Sequence, residues 1–312
     1  MTDGTHLPGL EGNNPLGFFA ALGVQVVFDE EEQRPRLWWT NDIVPHAVVD
    51  DEFDTERIVN STMSLIRRML DSPTLNPSTG TKADNTAKFD PEHIRPYLES
   101  TKDVDIDVRL ASALVAERSL DGSGKKAKPT DLYFTAGKMN FLEIARDLME
   151  QVTCDHLVEA INGPWRYSST MSSLLWDVAD DRIYALAPIN PANDKKLTNP
   201  GAEALALLGL SRHPVFAGRD NRGRDRTLTS GCEGPWRSNN TYTWPIWTQP
   251  ASGQAVRSLL AQVKGKVSAN ENRVAWYRGW GVSMVMTSEI QRSDQGGYGT
   301  FRPPQITWNE SN

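Results

Sequence analysis

The densest chemistry in this sequence is Arg219-Asp-Asn-Arg-Gly-Arg-Asp-Arg226, with arginines at 219, 222, 224 and 226 and glycines at 218 and 223. A guanidinium makes bidentate contacts with phosphate, and glycine lets a backbone approach a nucleic-acid strand closely. Lys195, Lys196 and Arg237 are candidates to join this group. Asp220 and Asp225 dilute the charge, so a solvated loop with internal ion pairs is the competing reading. A weaker second candidate is Leu120-Asp-Gly-Ser-Gly-Lys-Lys-Ala-Lys-Pro129, a Gly-rich loop that carries Lys125, Lys126 and Lys128. Binding of phosphate by either segment predicts steep salt dependence, because each neutralised phosphate releases counterions.

Residues that could catalyse are sparse. The five histidines (His6, His46, His93, His156, His213) show no metal-ligand spacing. Cys154 and His156 are close in sequence, but residues two apart on a helix point to different sides. Asp180-Asp181 could hold a cation, yet in a hairpin turn adjacent aspartates serve as turn formers. Thr135-Ala-Gly-Lys138, between a strand and a helix, could present helix N–H groups to an anion. It lacks the two glycines, five apart, of a phosphate loop. No nucleophile elbow or dinucleotide fingerprint is present. The sequence therefore gives no positive reason for an enzyme, a metal or a cofactor. A site dispersed along the chain remains an open alternative, signalled by a perturbed acid or histidine in a deep pocket.

Charge is unevenly spread over the 312 residues. The net charge is -7. Residues 195–302 hold fifteen Lys/Arg against seven Asp/Glu, a balance of +8, and residues 1–194 hold eighteen against thirty-two, a balance of -14. An acidic front and a basic back suggest two faces with different partners. Two cysteines, Cys154 and Cys232, exclude a disulfide scaffold. No segment reads as membrane-spanning or as a signal peptide, which makes the cytoplasm the default and a membrane partner unexpected.

The elements that must position these residues begin with Leu7 to Phe28. Gly9, Gly12, Asn13 and Asn14 read as a loop tolerant of positive φ. Asn14 can cap a helix with Pro15 at its first position. That helix is apolar on nearly every face, which predicts burial. Asp29-Glu-Glu-Glu32 reads as a solvated turn and residues 36–40 as a strand. A helix covers 55–70 with Asp54 as cap, and another covers 106–117. One over 91–100 is opposed by Pro96. Residues 131–137 read as a strand able to pair with Leu37–Thr40, followed by a helix over 138–149. Residues 174–178 and 182–187 read as a hairpin, and Asn199-Pro200 starts a helix ending at Leu210. Residues 241–248 form a strand near a sheet edge because of Pro245, 253–263 a helix, and 283–289 a strand. The ten tryptophans suggest core or interface anchors. The expected architecture is α+β, a helix-rich N-terminal half packed on a strand-containing C-terminal half. It forms one large domain (1–312), with a possible division into a helical acidic part (1–125) and a mixed basic part (130–312).

The opening Leu7-Pro-Gly-Leu-Glu-Gly-Asn-Asn-Pro-Leu-Gly-Phe-Phe-Ala-Ala-Leu-Gly-Val24 resembles the start of large-subunit-like and accessory proteins of type I-G (formerly I-U) CRISPR–Cas loci. Tyr133-Phe-Thr-Ala-Gly-Lys-Met-Asn-Phe-Leu142, Gly163-Pro-Trp-Arg-Tyr167, Leu175-Trp-Asp-Val-Ala-Asp-Asp-Arg-Ile-Tyr-Ala-Leu186 and Asn199-Pro-Gly-Ala-Glu-Ala-Leu-Ala-Leu-Leu-Gly-Leu210 are similar too. None is a catalytic signature. The resemblance implies a non-catalytic subunit of an RNA-guided antiviral effector complex. Its partners would be other effector subunits, guide RNA or target DNA. In such complexes base pairing reads the target while protein holds backbone. A protein-only adaptor is the alternative, docking on a helicase–nuclease through tryptophans around Trp244 and Trp247.

Overall fold

The computed structural model describes residues 4–178, 197–219, 225–236, 239–264, 271–293 and 298–310. From the N-terminus, β1 (Gly4–Glu11) leads into α1 (Pro15–Asp29), β2 (Leu37–Trp39) and β3 (His46–Asp50). Helices follow: α2 (Thr55–Leu70), α3 (Ala83–Thr86), α4 (Pro91–Ser100), α5 (Asp105–Leu114), α6 (Phe141–Gln151), α7 (Cys154–Asn162) and α8 (Pro200–Gly209). The rest is strand-rich: β4 (Val215–Arg219), β5 (Asp225–Thr229), β6 (Cys232–Glu233), β7 (Thr241–Trp247), α9 (Gly253–Gln262), α10 (Glu271–Gly279), β8 (Val282–Arg292), β9 (Gly299–Phe301) and β10 (Gln305–Asn309). The fold is α+β. The first half contributes a sheet of its own as well as helices.

Helix α1 starts as its sequence dictates. The Asn14 side chain accepts from the Leu16 N–H at 3.0 Å, and Pro15 occupies the first turn. Residues 15–28 are all buried. Its main partner is α8, also buried along its whole length and capped by Asn199, which accepts from the Ala202 N–H at 2.9 Å. The two helices touch backbone to backbone. A Cβ on Gly23 would overlap the Leu205 carbonyl, and one on Gly209 would overlap that of Phe19.

Two antiparallel sheets lie around this pair, in the orders β1-β3-β2 and β10-β8-β7-β6, with β9 on β8. Phe18 of α1 joins them, its ring 5.6 Å from Trp39 and 6.2 Å from Trp247. The indole N–H of Trp244 donates to the Gly12 carbonyl at 2.8 Å, and that of Trp247 to the Leu37 carbonyl at 2.7 Å. The buried side chains form one continuous core from Leu7 to Phe301. In β7, Pro245 lies beyond the two residues paired with β6, so its missing N–H costs the ladder nothing there.

Several expectations are corrected. Residues 7–11 belong to β1. The ladder to β3 jumps from Leu7 to Glu11, and Pro8 sits on this edge strand outside the pairs. Gly9 and Gly12 have no positive φ. Their missing Cβ atoms instead admit the Ala160 carbonyl of α7 and the Trp39 ring. Helix α4 runs through Pro96 because Ile94 and Tyr97 are buried, with the Tyr97 hydroxyl donating to the Thr74 carbonyl at 3.1 Å. Burial of two large side chains outweighs one lost helical hydrogen bond.

Residues 131–137 form no strand and do not pair with β2. Their carbonyls are taken elsewhere: Leu132 by the Trp176 indole at 2.9 Å, Phe134 by the Gly299 N–H at 2.9 Å, and Asp131 and Tyr133 by Arg292. Residues 174–178 are not a strand either. The Leu174 N–H and the Ser173 hydroxyl donate to buried Glu203. The rest of the expected hairpin, with Asp180 and Asp181, lies outside the described residues.

The acidic turn is only half solvated. Asp29 pairs with fully buried Arg212, in the turn after α8, and Glu30 with Arg109 at 2.8 Å. Burial raises the Glu30 pKa against the pull of Arg109.

Candidate nucleic-acid interface

The arginine-rich segment begins on a two-stranded ribbon. Among the described residues, strands β4 and β5 form a sheet of two, in register from Val215↔Thr229 to Arg219↔Asp225. Arg219 and Arg226 are thus in strands, and the loop is shorter than the sequence suggested. Arg222 and Arg224 lie outside the described residues, as do Lys195, Lys196 and Arg237.

Alternation along the ribbon sets its two faces. Thr227 and Thr229 are buried and tie β5 to the lysine-bearing segment. The Thr229 hydroxyl accepts from the Asp131 N–H at 2.7 Å and lies 3.2 Å from that of Thr130, and the Thr227 hydroxyl donates to the Lys128 carbonyl at 3.3 Å. The two basic segments, about a hundred residues apart in sequence, are neighbours in space.

The lysine loop is a closed turn. Leu120 and Ala127 bridge, and the Asp121 carboxylate accepts from the Ser123 N–H at 3.0 Å and the Lys125 N–H at 3.2 Å. Lys125 is exposed. Lys126 pairs with Asp90 at 2.6 Å, so part of its charge is spent within the fold. Lys128 lies 3.6 Å from Asp131 and 4.7 Å from the centroid of the Trp236 ring.

Further cations lie on neighbouring aromatics. Arg292, at the end of β8, lies 3.3 Å from the Trp236 centroid and donates to the Tyr133 carbonyl at 3.0 Å. Burial pushes its pKa down to about 10 against the attraction of Asp131, so it stays charged at neutral pH. The Lys88 ammonium stands 4.8 Å from the Tyr133 centroid. Desolvation, then the repulsion of Arg292, lowers its pKa. Lys88, Lys128 and Arg292 thus form a basic cluster on an aromatic floor. Each makes a cation–π contact, and the Asp131 carboxylate lies 3.6 Å from Lys128. Lys88, Trp236 and Arg292 were not legible as site residues. They stand alone in segments far apart, and only the fold brings them together, Arg292 and Lys128 on the Trp236 ring and Lys88 on that of Tyr133.

Cys154 and His156 form no pair. His156 and Thr153 cap α7 reciprocally, while Cys154 is exposed. His213 is fully buried, with Nε2 2.8 Å from the Tyr242 hydroxyl, and burial pushes its pKa down to about 3. The Cys232 thiol is pushed up by burial and then by Asp131. Among the described residues no cluster of His, Cys, Asp or Glu could hold a metal ion, and no helix is long and apolar enough to cross a membrane. Trp244 and Trp247 are fully buried, which removes them as a docking surface.

Comparison with protein-family models and with curated proteins finds no match to this chain.

Proposed function

We propose that this protein binds nucleic-acid backbone through the cluster of Lys88, Lys128 and Arg292, together with Lys125, Lys126, the arginines at 219, 222, 224 and 226, and Arg237. The supporting observation is the junction of two basic segments through Thr227 and Thr229, next to cations held on Trp236 and Tyr133. Phosphate is the ligand that several cations gathered on one surface recognise best, and here it would compete with Asp90 and Asp131 for Lys126 and Lys128. Resemblance of the opening residues supports a place as a non-catalytic subunit of a type I CRISPR effector complex, where backbone contacts serve an RNA-guided search. Its partners would then be other effector subunits with guide RNA or target DNA.

The test is a binding titration with labelled DNA and RNA, together with purification from the native operon. Arg222→Glu combined with Arg224→Glu should weaken binding and leave thermal unfolding unchanged. Unchanged binding at low salt would remove the ribbon from the interface.

The adaptor reading keeps one observation of its own. Trp280 and Ile306 are exposed, and the Trp280 ring lies 5.6 Å from that of Trp276, tilted by 34°. A partner protein that copurifies with the chain, and is lost with Trp280→Ala, would favour it.

A further inference from the structure

Eight of the nine phenylalanines are at most 1% exposed, whereas Phe216 is 54% exposed. It sits on β4, directly opposite half-buried Leu228 of β5. This pair forms the face of the ribbon that alternates with the face bearing Val215 and Thr229, both buried. Among the described residues no aromatic ring covers Phe216. The backbone of Arg226, paired with Gly218, is two positions from Leu228 along the same strand. An exposed aromatic on a paired ribbon, whose opposite face is anchored through Thr227 and Thr229 to the lysine-bearing segment, has the makeup of a base-stacking platform.

We propose that Phe216 stacks on an unpaired nucleobase, so that the ligand is single-stranded. This rests on the nucleic-acid reading above and narrows it. A duplex hides the faces of its bases and shows only their edges in its grooves. An unpaired strand offers both its phosphates to the cations and its base faces to Phe216. The ring makes no charged contact, so it adds affinity without adding to the salt dependence.

The experiment compares three labelled probes: a mixed-sequence single strand, the same strand made abasic, and the corresponding duplex. Phe216→Ala should weaken binding to the base-containing strand about tenfold. It should leave the abasic strand, the duplex and the slope of affinity against salt unchanged, and Phe216→Trp should restore binding. Equal losses on the base-containing and abasic strands, or no loss on either, would overturn the role of Phe216 while the phosphate interface stands. If the wild-type protein binds none of the three probes even at low salt, the interface itself falls, and this proposal with it.

Discussion

The Arg292 guanidinium lies 3.3 Å from the centroid of the Trp236 ring, and the Lys128 ammonium lies 4.7 Å from the same point. One indole therefore organises two cations from segments 164 positions apart. Trp236→Ala should lower stability by about 1 kcal/mol, the size of a partly desolvated cation–π contact. Urea unfolding measures this. Trp236→Phe, which keeps a ring face, should recover much of the loss. An unchanged midpoint in Trp236→Ala would mean that backbone carbonyls alone hold Arg292.

Gly23 and Gly209 let α1 and α8 meet at their backbones. Gly23→Ala puts a methyl group against the Leu205 carbonyl. Neither helix can yield without disturbing the core, so a loss of about 3 kcal/mol is expected. The neighbouring Ala20→Gly should cost only about 1 kcal/mol. Denaturant midpoints compare the two directly, and equal effects would contradict the close contact.

His213 makes stability depend on pH. Its native pKa is depressed to about 3 from an ordinary value of 6.5. Between those values the unfolded chain takes up a proton that the native state refuses, so stability falls as pH falls from about 6.5 towards 3. The slope from this group approaches about 1.4 kcal/mol per pH unit. The difference between wild type and His213→Gln should shrink on acidification. A difference independent of pH between 7 and 4 would show that His213 takes up its proton equally in the native and unfolded states, and would contradict the depressed pKa.

Local chemistry was legible in the sequence where one short segment carried the whole signal. Asn14-Pro15, Asp54, Asn199-Pro200 and the apolar run of α1 needed no distant partner, and all formed as read. Elements failed where the partner was remote. Residues 131–137 have strand-like side chains, but Trp176, Arg292 and Gly299 claim their carbonyls. Asp29 and Glu30 looked solvated because Arg212 and Arg109 are far along the chain. The interface divided in the same way. The arginine run and Lys125–Lys128 were visible as charge, whereas Lys88, Trp236 and Arg292 became visible only when the fold set the cations on the rings of Tyr133 and Trp236.

The central claim is that Lys88 and Lys128 face nucleic-acid phosphate. The most direct measurement is the affinity of a single-stranded probe at several salt concentrations, for wild type and for Lys88→Gln combined with Lys128→Gln. Each single-strand phosphate contact contributes about 0.7 to the slope of log affinity against log salt. The double variant should bind more weakly at low salt, with a slope shallower by about 1.4. The same slope and the same affinity in both proteins would show that these lysines serve the fold alone, and would contradict the account.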